Sequence, residues 1–375
     1  MSNLQSNMAE LMEAARHPAR TVAKTMASTN KKAVGFFPVY VPEEIIHAAG
    51  FVPVGLWGGQ TSLQRADTYM QSFGCTIVRA NLEFAMKGVY NILSAIVVTA
   101  FCDTLKCSGL DMTLIMQDTP ILSIVYPNNR VNPEGREFML AEMTQLKERL
   151  EKVAGRKITE DDLQNSLKVY EDYHATARKF TDIVKDYSIT LNPKVRNLIL
   201  KAAYFMDKQE YTAKLKQIID DLQKQPVEKF DGIKAVVTGI LVEPESLLDV
   251  FVDNNYSFVA DDLAHLSRQF RTELPAGANA LDRLVGRAMN QRGCAMLYDG
   301  GRSKGEVLLN LVKKYNADAV VVCMFKFCDP EGFDYPIYKK ELEAAGVKML
   351  YIEIEQQMES VEALRTRIQS FAEML

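Results

Sequence analysis

Six cysteines, Cys75, Cys102, Cys107, Cys294, Cys323 and Cys328, are the side chains of this sequence best suited to chemistry. No two of them are spaced as Cys-x-x-Cys, so a zinc ribbon, a thioredoxin-type redox pair and a bacterial ferredoxin run are all unsupported. Their positions say more than their spacing. Cys102 directly follows the apolar run SAIVVTAF (Ser94–Phe101), and Cys328 lies just past ADAVVVCMF (Ala317–Phe325). Both fall at the carboxyl ends of predicted strands, where open α/β sheets place their ligands. Cys75 follows Gly74 at the start of a predicted helix, where the positive dipole end stabilises a thiolate. Three thiolates converging from different elements could hold an iron–sulfur cluster or zinc. Free cysteine is equally a common small core residue.

The elements that must position these thiols can be traced along the chain. Ala33–Phe37 is a short apolar run; Pro42 then opens a helix, EEIIHAA, which Gly50 closes. A second run, Phe51–Trp57, follows, then a helix over about Cys75–Lys87. SAIVVTAF is β-branched and nearly all apolar, as a parallel strand buried on both faces should be. PILSIVY (Pro120–Tyr126) repeats the signal and ends at Pro127-Asn128-Asn129. From about Pro133 to Val227 the pattern is amphipathic and charged without a strand-like run, with a capping box at Thr159 and Asp162. Strands return with IKAVVTG (Ile233–Gly239), a helix from Pro244 to near Asn254-Asn255, and YSFVADD. A helix over Arg302–Tyr315, ADAVVVCMF and VKMLYIEIE (Val347–Glu355) follow. A last helix after Ser360 carries Val361, Leu364, Ile368, Phe371 and Leu375 on one face. The expected fold is α/β: two Rossmann-like, doubly wound parallel-sheet domains, residues 1–132 and 228–375, with a mainly helical segment, 133–227, between them. Clefts between such halves are favoured ligand sites.

Composition narrows the function. With 375 residues, 47% hydrophobic and 25% charged, the chain is ordinary globular material. Its net charge of −4 argues against nucleic acid as a default partner. The first thirty residues lack the apolar core of a secretory leader, and no apolar stretch approaches the ~20 residues that span a bilayer. A soluble, cytoplasmic protein with no membrane partner is expected, its sparse cysteines reduced.

Four segments, in order, carry a resemblance. VPEEIIHAAGFVPVGLWGG (Val41–Gly59), CTIVRANLEFAMKG (Cys75–Gly88), AIVVTAFCDTLK (Ala95–Lys106) and ADAVVVCMFKFCDPEGFDYPIYKKELEAAGVKMLYIEIE (Ala317–Glu355) resemble the 2-hydroxyacyl-CoA dehydratase family, which includes benzoyl-CoA reductase subunits. Size and the FDYP segment look most like its beta subunits. The resemblance implies one 4Fe-4S cluster on three cysteines, carried here by Cys75, Cys102 and Cys328, with Cys107 as the alternative to Cys102. It implies radical elimination of water from a 2-hydroxyacyl-CoA substrate: one-electron reduction of the thioester carbonyl gives a ketyl that expels the 2-hydroxyl, after which the β-proton becomes removable. It also implies a homologous alpha subunit and an ATP-dependent iron–sulfur activator; the absence of a G-x-x-x-x-G-K-[ST] loop here agrees with ATP chemistry on another protein. The alternatives are a subunit of a benzoyl-CoA-type reductase, or a non-catalytic structural subunit with empty or zinc-bound cysteines.

Other residues have less to distinguish them. Glu44 could ligate iron or move a proton, or simply complement a helix dipole. His47, in the same helix, could be a general acid/base or a packed histidine. The Gly300–Gly305 turn before a helix could cradle a CoA phosphate, or be an ordinary helix start. Cys294 and Cys323 read as core or supporting thiols.

Overall fold

Every apolar run expected to be a strand becomes one in the computed structural model, which describes residues 3–37 and 39–375. Two helices come first, α1 (Asn3–Arg16) and α2 (Pro18–Thr29). Then β1 (Ala33–Phe36), α3 (Glu43–Ala48), β2 (Val52–Gly55), α4 (Thr76–Met86), β3 (Leu93–Thr99), α5 (Asp103–Ile115) and β4 (Ile121–Ile124) build a parallel sheet in the order β2-β1-β3-β4. Four helices, α6 (Pro133–Ala154), α7 (Glu160–Ile183), α8 (Pro193–Lys201) and α9 (Lys208–Gln223), occupy the middle. The second sheet uses β5 (Ile233–Gly239), α10 (Glu245–Asp253), β6 (Tyr256–Leu263), α11 (Ser267–Phe270), α12 (Ala280–Met289), α13 (Lys304–Tyr315), β7 (Ala319–Phe325), α14 (Asp329–Ala344) and β8 (Lys348–Ile354). Its order, β6-β5-β7-β8, is parallel and repeats that of the first; α15 (Glu362–Glu373) closes the chain. The fold is thus α/β, with two doubly wound sheets.

Burial follows the sequence pattern. The inner strands β1 and β7 are buried along their whole length, as continuous apolar runs require when helices cover both faces. Edge strand β8 alternates, with Lys348 and Glu353 exposed. Edge strand β6 is buried throughout, Asp261 and Asp262 included, because α7, α8, α10 and α11 pack against it. Asp261 is neutralised by the buried Arg196 of α8. One hydrophobic core joins residues of both sheets and of the central helices.

The helical middle starts as its sequence signals. The Thr159 hydroxyl accepts from the Asp162 N–H at 3.1 Å, and the Thr159 N–H donates to Asp162 Oδ2 at 2.9 Å, so the capping box forms. Helix α1 packs on α8 and α9, an association nothing in the local pattern announces. On α15 the apolar stripe buries Val361, Leu364 and Ile368, but Leu375 is exposed. Among the described residues no helix is long and apolar enough to cross a membrane.

Strand β5 ends at Gly239, whose φ of +141° suits glycine alone, and a Cβ there would sit 2.2 Å from the carbonyl oxygen of Cys323 in β7. Gly239→Ala should therefore cost at least about 1–3 kcal/mol from backbone strain alone. A urea midpoint within error of wild type would contradict this.

Candidate functional site

Three of the six cysteines occupy the same structural position on three helices. Cys75 is the N-cap of α4, Cys102 of α5 and Cys328 of α14. Helices α5 and α14 follow β3 and β7, so their first turns lie at the carboxyl ends of inner strands, beside the point where strand order reverses in each sheet. Phe327 takes a left-handed φ of +61°, and the Cys328 N–H bonds the Phe325 carbonyl at 3.1 Å, a tight turn that begins α14 immediately after β7. All three sulfur-bearing residues line one cavity of about 340 Å³. Its other walls are mostly apolar: Val39, Trp57, Ile77, Val78, Phe101, Leu105, Ile240, Met296 and Phe325. Cys107 lies in the body of α5, exposed, and does not line the cavity. Cys323 is fully buried within β7, and Cys294 is buried elsewhere.

Electrostatics in the cavity run against the simple dipole expectation for Cys75. Its thiol is pushed up to about 11 by burial, which outweighs the backbone N–H groups of Val78 and Ile77 that pull it down; a negative Cys102 would raise it further. Burial also raises Cys102, against the N–H groups of Leu105 and Thr104. Cys328 is raised well above the ordinary thiol range by burial, then by the charge of Glu331. Burial thus favours the neutral thiol at each of the three sulfurs. Among the described residues no three His, Cys, Asp or Glu side chains are drawn together tightly enough for one metal ion; the three sulfurs stand around a cavity. Sulfur donors, apolar walls and three sets of inward N–H dipoles fit a soft, multi-iron centre.

Behind Cys328 lies a charged network that sequence patterning does not reveal. Glu331, in the first turn of α14 and 1% exposed, accepts from Arg268 Nη1 at 2.6 Å and Lys304 Nζ at 2.5 Å. Arg268 also donates to Asp262 at 2.9 and 3.1 Å and reaches Cys294 Sγ at 3.4 Å. Arg271 pairs with Asp262 as well.

Glu44 and His47 lie away from the thiols and line no part of their cavity. Glu44 is buried against Arg287, 2.6 Å away. The Ser166 hydroxyl donates to the Glu44 carbonyl at 2.8 Å, so it accepts from His47 Nδ1 at 2.9 Å, fixing the ring with its proton on Nδ1. The Gly300–Gly305 turn has an occupant of its own: the Asp299 carboxylate accepts from the N–H groups of Gly293, Gly301 and Ser303 at 3.1 Å each. A larger cavity, about 590 Å³, lies between α1, α2, β2 and α10 and shares Trp57 with the cysteine cavity. It contains no thiol, and its charged groups pair with one another as Arg16–Glu245 and Lys201–Glu243.

Two measurements follow from this geometry. In metal-free protein, iodoacetamide at pH 8 should modify the exposed Cys107 first and Cys323 last, read by peptide mass spectrometry; rapid labelling of Cys323 would contradict its placement. Burial, then the charge of Lys31, lowers His47 to about 4, and burial lowers His265 to about 4 against the charge of Glu243. In the unfolded chain both titrate near ~6.5. The folded values are the lower, so stability is fully present above pH ~6.5 and is lost as pH falls from there towards 4. The unfolding free energy from urea titrations should drop through that window, by up to ~1.4 kcal/mol per pH unit for each fully buried ring. His265→Gln should flatten the slope; an unaltered slope would refute the assignment.

Comparison with known sequences completes the description. Residues 38–375 match the family described as 2-hydroxyglutaryl-CoA dehydratase, D-component. The chain is 37% identical over 375 residues to the (R)-phenyllactyl-CoA dehydratase beta subunit of Clostridium sporogenes, covering 100% of both chains. It is 38% identical over 377 residues to the lactoyl-CoA dehydratase subunit beta of Anaerotignum propionicum, again 100% of each. To the (R)-2-hydroxyglutaryl-CoA dehydratase subunit beta of Acidaminococcus fermentans it is 35% identical over 98% of each.

Proposed function

The chain belongs to the 2-hydroxyglutaryl-CoA dehydratase D-component family, and on that premise we propose that it is the beta subunit of a 2-hydroxyacyl-CoA dehydratase, a hydro-lyase working with an alpha-type partner. The observation that carries this reading is the meeting of Cys75, Cys102 and Cys328 at one cavity, each from a helix N-cap. These three residues would hold a single 4Fe-4S cluster, leaving one iron without a cysteine. Such a cluster, when bound, supplies or relays one low-potential electron, received from an ATP-dependent activator.

The need for that electron is chemical. A thioester carbonyl acidifies its α-hydrogens but not the β-hydrogen that must leave with the 2-hydroxyl. Adding one electron to the carbonyl gives a ketyl that expels hydroxide, and the β-proton then becomes removable; returning the electron completes the 2-enoyl thioester. In this scheme the chain's own residues serve the electron's site. The N–H groups of Val78, Ile77, Thr104, Leu105 and Glu331 point their positive ends at the three sulfurs, and Trp57, Phe101 and Phe325 wall the cavity. A pocket so lined favours thiolate ligation while limiting access of water.

Strictly anaerobic preparation should yield about four irons and four acid-labile sulfides per chain, the stoichiometry of one such cluster. Cys75→Ala, Cys102→Ala and Cys328→Ala should each lose most of that iron, and Cys107→Ala should keep it. Dehydration of a 2-hydroxyacyl-CoA should require the alpha-type partner and the activator together with this chain. A folded wild-type chain without iron, even beside its partner, would overturn the proposal.

A further inference from the structure

Two cations and two carboxylates are buried together behind Cys328, Arg268 and Lys304 with Asp262 and Glu331, and the half-buried Arg271 pairs with Asp262 at their edge. Burying so many charges is a poor way to gain stability, because desolvation offsets most of the attraction and apolar side chains of similar size often do as well. Its placement points to another use. Glu331 stands three residues after Cys328, where a helix-start carboxylate is ordinarily solvated, yet it is 1% exposed. Its carboxylate pairs with Arg268 at 2.6 Å and with Lys304 at 2.5 Å. Cys328 is therefore followed, one helical turn on, by a buried negative charge that two cations hold in place.

We propose that Glu331, Arg268 and Lys304 form a charge balance that positions the first turn of α14 and sets the reduction potential of the centre held by Cys328. The inference rests on the cluster-binding role proposed above. Reduction adds negative charge to such a centre, so a nearby cation raises its potential and a nearby anion lowers it. In a dry interior these effects are screened far less than at a surface. Glu331 and Lys304 thus act as positioning residues whose charges shift that potential in opposite directions.

Opposite signs give the test. The full chain and its variants, purified anaerobically, are titrated with redox mediators while the reduced-cluster electron paramagnetic resonance signal is followed, and iron per chain is measured in parallel. Glu331→Gln should raise the midpoint potential, Lys304→Met should lower it, and the double variant should return close to wild type. Lys304→Arg, which keeps the charge, should leave the potential near wild type. Shifts of the two single variants in the same direction, or unmoved potentials with iron intact, would overturn the inference while leaving the cluster assignment standing. If a single variant does not fold, the charge-matched double and Lys304→Arg decide: a large departure from wild type in either overturns it. Lack of iron in the wild type itself would remove the cluster assignment, and this inference with it.

Discussion

Desolvation of three thiols around one cavity is the constraint on which this structure turns. Burial moves each of Cys75, Cys102 and Cys328 away from ionisation, and each thiolate would oppose the next. The cluster proposed above would answer this constraint, since a compact positive core could take three sulfurs at once. Three helices begin at the cavity. Their free N–H groups do not win against burial in the metal-free chain, but they stand ready to stabilise negative charge once a metal centre supplies the larger share.

Parallel sheet topology makes that arrangement available. In a doubly wound sheet every strand delivers the next helix N-terminus to the same edge, and the reversal of strand order opens a crevice there. Here the same order occurs twice, β2-β1-β3-β4 and β6-β5-β7-β8. Cys75 and Cys102 come from the first sheet's helices and Cys328 from the second's, so the cavity depends on both sheets being held together. The continuous core through the central helices and the buried Arg196–Asp261 pair between α8 and β6 supply that connection.

Much of this was legible in the sequence, for physical reasons. Buried parallel strands need unbroken β-branched runs, and ADAVVVCMF and SAIVVTAF have no other economical conformation. Long amphipathic stretches with a capping box at Thr159 and Asp162 can only be helices. Position at strand ends marked Cys102 and Cys328 as candidates, and the family resemblance grouped them with Cys75; in the structure Cys102 caps α5 and lines the cavity, while Cys107 is exposed in the helix body. Less legible was anything requiring long-range partners. Arg268 meets Glu331 across 63 positions, and Glu10 of α1 meets Lys214 of α9 across 204, and no local periodicity encodes either. The direction of the Cys75 shift also escaped, because a helix dipole can be read from sequence and the depth of burial cannot.

The Gly300–Gly305 turn shows how a correct local signal can have an unexpected answer. Glycines before a helix present free N–H groups, and such a nest attracts an anion. It has one: the Asp299 carboxylate, which satisfies Gly293, Gly301 and Ser303 from within the chain. With that anion supplied internally, Lys304 has no phosphate to meet at the surface and turns inward, 3% exposed, to Glu331. The lysine beside this turn becomes a buried counter-charge to Glu331, which lies one helical turn from Cys328.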